Sequence, residues 1–126
     1  MKAIKSTGDI KSGLVKELFT DGKPSAVGRY AGGQKTGTWK FYFRNGRLKA
    51  TGKFARGQLE GPWKWFRESG QLMQTGSFKA GKQHGLWKRF RENGKPYDEG
   101  RYAAGKKTGV WKTYDAAGKV SRTKTY

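Results

Sequence analysis

The chain of 126 residues has no cysteine, which excludes disulfide stapling and thiolate chemistry. It has one histidine, His84, and only nine acidic residues, so general acid–base and metal-binding constellations have little material. Asp98-Glu99 is the sole adjacent acidic pair, and it reads as local relief of positive charge rather than as a proton donor. Hydrophobic residues make up 33% of the chain, too few for a thick globular core. No apolar run is long enough to span a bilayer, and residues 1–9 do not read as a signal peptide. A soluble cytoplasmic protein is expected, with no enzymatic activity, no cofactor, no metal and no small-molecule substrate.

What is abundant is positive charge, glycine and aromatic rings. Twenty-eight Lys and Arg give a formal net charge of +19, which speaks about partners rather than fold. The 20 glycines and 14% aromatic content set the chain apart from disordered sequences. They are also periodic. Gly13, Gly37, Gly61, Gly85 and Gly109 lie 24 residues apart, as do Gly22, Gly46, Gly70, Gly94 and Gly118. Gly28, Gly52, Gly76 and Gly100 form a third column, and Gly33, Gly57, Gly81 and Gly105 a fourth. Trp39, Trp63, Trp87 and Trp111 keep the same beat, with Val15 in the first repeat. So do Tyr42, Phe66, Phe90 and Tyr114, and Tyr30, Phe54, Phe78, Tyr102 and Tyr126.

A fixed period of this kind marks a repeat array. The expected organisation is an N-terminal lead at 1–12 and repeats at 13–36, 37–60, 61–84, 85–108 and 109–126. Asp21-Gly22, Asn45-Gly46 and Asn93-Gly94 between short aromatic runs are strong hairpin signals. Each repeat is therefore expected to be a hairpin, with strands near 38–44 and 47–54 in the second. The segment 55–60 then turns the chain into the next hairpin, and His84 falls in the corresponding linker. The fold class is all-β: an elongated single-layer antiparallel meander of about five stacked hairpins, roughly ten strands, ~45 Å long at strand spacing.

The hairpin register stays open at this level. A two-residue Asn45-Gly46 loop sets Trp39 opposite Gly52, packed over bare backbone, with Phe41, Phe43, Leu48, Ala50 and Phe54 on its face. A three-residue loop with Gly46 in a bulge sets Trp39 opposite Thr51. The Asn-Gly repeats favour the first form. Ala117, which resists positive φ, favours the second. In either form one aromatic column is expected among lysines.

These columns resemble the MORN repeats, and more closely their bacterial variant, which reads roughly G-x-W-x-x-Y-x-x-x-G followed by G-x-Y-x-x-G. Gly37-Thr38-Trp39-Lys40-Phe41-Tyr42 through Gly46, then Gly52-Lys53-Phe54 and Gly57, carry the match, and it recurs across 13–126. The resemblance implies stacked hairpins and no catalysis. It links bacterial members to antitoxins of toxin–antitoxin systems and other members to membrane phospholipids and protein scaffolding. Val15 and Leu18 in the first repeat, and Lys124 in a glycine column, depart from the pattern as capping repeats would.

The charge is ordered too. Lys16, Lys40, Lys64, Lys88 and Lys112 follow the Trp column, while Arg47 and Lys95 follow the hairpin glycine. Lys53 and Arg101 precede the third aromatic column. Lysines two strands apart stand ~10 Å from one another and repel by only about 0.4 kcal/mol in water, so a solvated row is physically comfortable. Yet solubility alone needs far less charge than +19. The expectation is a polyanion-binding face, nucleic acid first. Lysines would neutralise phosphates, and Tyr42, Phe66, Phe90 and Tyr114 would stack on bases. An acidic protein partner, such as a toxin, and anionic lipid headgroups are the alternatives. Charges in 119–126 read as edge protection.

Overall fold

The computed structural model describes residues 12–126; the expected lead, apart from Ser12, lies outside the described residues. Ten strands follow in order: β1 (Gly13–Leu18), β2 (Pro24–Ala31), β3 (Gln34–Tyr42), β4 (Leu48–Ala55), β5 (Gln58–Phe66), β6 (Leu72–Lys79), β7 (Lys82–Phe90), β8 (Pro96–Ala103), β9 (Lys106–Tyr114) and β10 (Val120–Thr125). They form one open antiparallel sheet in sequence order, the stacked-hairpin meander expected from the glycine period.

The turns at the two ends of the strands differ. At Asn45-Gly46 the loop has three residues: Phe43 N–H donates to Arg47 O at 2.8 Å and Gly46 N–H to Phe43 O at 2.9 Å. Only Gly46 takes positive φ there, at 88°, so Ala117 is tolerated at the position before the equivalent Gly118. Tyr42 then pairs with Leu48, Lys49 is accommodated as a bulge, and Phe41 pairs with Ala50 and Trp39 with Gly52. The turn is the three-residue form, while the strand register is that of the two-residue form. A bulge reconciles them.

The two-residue turn sits at the other end of the strands, where the sequence leads one to expect a longer connection. Arg56 (φ 52°) and Gly57 (φ 79°) join Ala55 directly to Gln58, and the strands run up to them on both sides. Two positive φ values in succession are the type I′ geometry that matches sheet twist. Ala80 and Ala104 hold the same strained position at φ 50°. The glycine N–H of each turn donates to the previous repeat, Gly57 to Lys35 O and Gly81 to Leu59 O, both at 3.0 Å. His84 is consequently not in a linker: it lies in β7, exposed, paired with Ser77.

One face of the sheet carries the core. Between β4 and β5, Gly61 and Pro62 are extra residues, flanked by the pairs Lys53 with Glu60 and Gly52 with Trp63. The Trp63 indole lies over Gly52, and its Nε1–H donates to Lys53 O at 3.1 Å. Trp39 likewise covers Gly28, Trp87 covers Gly76 and Trp111 covers Gly100. Trp39 does stand opposite Gly52, as the two-residue register requires, but its ring covers the preceding strand instead. Each hairpin thus places its largest ring on the bare backbone of the one before, which makes neighbours interdependent.

The rings also touch one another. Trp39, Phe41, Trp63, Trp65 and Trp87 form a near-parallel series with successive centroids 6.0, 6.2, 6.0 and 5.4 Å apart. Tyr30, Phe54 and Phe78 meet the tryptophans edge-on. Offset and edge-on pairs each add about 1 kcal/mol beyond area burial. The result is a continuous core on a single-layer sheet, with Trp39 fully buried.

Candidate anion-binding face

Strand alternation puts the residue after each Trp on the opposite face. Cross-strand pairing runs Lys16, Val27, Lys40, Thr51, Lys64, Thr75, Lys88, Glu99, Lys112 and Thr123 in one continuous row. A small or uncharged residue separates consecutive lysines until Glu99. Lys53 and Arg101 lie on the same face, paired with Thr38 and Leu86. Tyr42, Phe66, Phe90 and Tyr114 share it too, so an aromatic column does sit among lysines.

The candidates are not equivalent. Lys16, Lys40 and Lys64 are exposed, with no acidic side chain between them in the row. Lys88 lies 3.8 Å from Glu99, which also stands beside Lys112 in the pairing. Glu99 accepts the Tyr114 hydroxyl at 3.0 Å. Partial burial, helped by that carboxylate, pushes the Tyr114 phenol above its ordinary value. The C-terminal end of the row is therefore partly neutralised. Arg47 is engaged at the turn edge, donating to the backbone carbonyls of Glu68 and Ser69, whereas Lys95 is exposed. The four rings are half-buried rather than splayed outward.

Several features of the two sheet faces go beyond the sequence reading. Leu14, Leu86 and Val110, 67%, 41% and 52% exposed, lie on the lysine face one residue before the Trp column. Arg67 and Arg91 look like further surface cations, yet each donates to the next hairpin, to Phe90 O at 3.0 Å and Tyr114 O at 2.9 Å. The Asp98-Glu99 pair is split by alternation. Asp98 binds Arg89 on the aromatic face through contacts of 3.0 and 2.6 Å, while Glu99 faces the lysines. That pairing raises the Arg89 pKa through its hydrogen bond to Asp98, against partial desolvation.

Among the described residues, no group of three or more His, Asp or Glu side chains could hold a metal ion. No helix among them is long and apolar enough to cross a membrane. The MORN repeat variant model matches residues 35–55, 59–80, 83–104 and 107–126, and the chain belongs to that family. No curated protein matches the chain. Among solved structures it is similar to a mutant of TarM from S. aureus in complex with Fondaparinux, alpha-GlcNAc-glycerol and UDP, at 13% identity and a TM-score of 0.48, covering 86% of this chain and 20% of that one. A further TarM structure gives 14% identity and 0.47, covering 91% of this chain and 19% of that one. A GtfA/B complex bound to UDP and GlcNAc gives 14% and 0.41, covering 70% and 22%. The chain spans about a fifth of the length of these structures.

Proposed function

We propose that this chain is a non-catalytic docking module that lays its lysine face on an anionic membrane surface. The observation that carries the reading is the company the lysines keep. Lys16, Lys40 and Lys64 share one open sheet face with the exposed aliphatic side chains Leu14, Leu86 and Val110. Each lysine brought to an anionic leaflet contributes about 1 kcal/mol, and the aliphatic tips add apolar contact at the headgroup boundary. Lys53 and Arg29 on the same face extend the charge. Tyr42, Phe66, Phe90 and Tyr114 are half-buried, so each offers only part of a ring face to stacking on single-stranded bases. That weakens the nucleic-acid reading relative to a surface-charge reading.

The test is co-sedimentation with vesicles of rising acidic-lipid content, at low and near-physiological salt, beside anisotropy with random-sequence RNA and DNA. Binding that grows with acidic lipid and exceeds binding to the oligomers supports the proposal. Binding indifferent to acidic lipid overturns it. In that case a salt-steep affinity for the oligomers favours nucleic acid, and failure on both probes favours an acidic protein partner.

A further inference from the structure

The aromatic series on the core face has a gap. Phe41 and Trp65, two residues after Trp39 and Trp63, each stack between successive tryptophans, at interplanar angles of 25° to 31°. The equivalent positions in the last two repeats are Arg89 and Thr113. Arg89 is drawn to Asp98, and Thr113 is too small to reach across. Among the described residues, the ring contacts at Trp111 are only edge-on, from Tyr102 at 5.2 Å and Tyr126 at 6.3 Å. Trp111 is accordingly the least covered of the four column tryptophans: Trp39, Trp63 and Trp87 are 0%, 3% and 6% exposed, and Trp111 is half-buried.

The space left beside Trp111 is a recess of about 400 Å³, within the range that takes a small ligand. Its lining includes Lys107, Arg122 and Lys124 as well as Trp111 and Tyr126; Asp98 lines it too, its carboxylate held by Arg89. Lys107 Nζ lies 4.6 Å from the Trp111 ring centroid and Lys124 Nζ 5.0 Å from that of Tyr126. Arg122 is the cross-strand partner of Thr113. Lys107 does not close the stacking position, because Lys35 lies at 5.2 Å over Trp39 in the same way and Phe41 still stacks there. A flat ring that took the place of Phe41 at Trp111 would project its substituents among three cations, the arrangement a dianionic phosphate satisfies.

We propose that this recess is a binding site for a nucleoside phosphate, with the base stacked on Trp111 and the phosphate held by Lys107, Arg122 and Lys124. The site is on the opposite face from the lysine row and does not rest on the membrane reading. The ligand's source is either a free mononucleotide or the terminal nucleotide of a strand.

The probe is adenosine monophosphate, followed by calorimetry and by quenching of tryptophan fluorescence. Saturable one-site binding is expected. Thr113→Phe fills the gap as Phe41 does and should weaken binding by about tenfold or more, with the β-sheet circular dichroism retained; Thr113→Leu, a milder filler, should act in the same direction. Arg122→Gln should weaken it by roughly fivefold or more, while Lys40→Gln on the other face changes nothing. Tighter binding of a short oligoadenylate than of the monophosphate assigns the site to a strand end; equal binding assigns it to the free nucleotide. Absence of saturable binding, full binding by the folded Thr113 variants, or inorganic phosphate binding as tightly as the nucleotide would overturn the assignment.

Discussion

The indole of Trp63 rests on the α-carbon of Gly52 so closely that a Cβ added there would stand 2.0 Å from a ring carbon. Gly52→Ala must therefore displace the ring that joins two hairpins, at a cost of about 3 kcal/mol. Gly46→Ala meets nothing within 4 Å and suffers only from its φ of 88°, a cost of about 1–2 kcal/mol. Urea denaturation of the two variants is expected to rank them in that order. Equal stabilities would mean that the ring contact is not what couples the repeats.

The type I′ turns carry alanine where glycine or asparagine is at ease. Ala80 and Ala104 sit at φ 50°, and relieving that strain with Ala80→Gly or Ala104→Gly should stabilise the fold by about 1 kcal/mol each. Ala117→Gly, at the other end of the strands, should bring no gain, because the positive φ of that turn already belongs to Gly118. A shift in denaturation midpoint for Ala80→Gly but not for Ala117→Gly is the expected pattern.

The hydroxyl of Tyr114 gives a pH signature. Burial, then its hydrogen bond to Glu99, raises its pKa above the ordinary 10.0. The folded state thus holds this proton more tightly than the unfolded chain. The associated stability is fully present below pH 10 and is lost as pH rises through the folded value. Spectrophotometric titration of the phenolate should show one tyrosine ionising late, and Glu99→Gln should bring it earlier. A titration indifferent to Glu99→Gln would remove the carboxylate as a cause.

Much of this architecture is legible in the sequence because each repeat marks its turns with glycine at fixed offsets. Sequence could not reveal the compensation near Lys49. A three-residue turn shifts the register one way and a bulge shifts it back, and a bulged lysine looks like any other strand residue. Nor does the column spacing say which strand a tryptophan leans on, since Trp39 has a glycine on both sides, Gly28 and Gly52. The lysine row was readable from period and alternation together. Its weakening at Glu99 was not, because Asp98-Glu99 looks like one acidic patch until alternation sends the two carboxylates to opposite faces. The recess at Trp111 has a faint sequence signal, the change from Phe41 and Trp65 to Arg89 and Thr113 in one column.

The proposed docking belongs to one face and not to the overall charge. Two charge-matched variants test it on the same acidic vesicles: Lys40→Glu with Lys64→Glu on the lysine face, and Arg122→Glu with Lys124→Glu on the aromatic face. Both lower the net charge by the same amount. The first pair is expected to abolish co-sedimentation at near-physiological salt and the second to leave most of it in place. Equal losses from the two pairs would contradict that expectation and reduce the binding to generic attraction by a cationic chain.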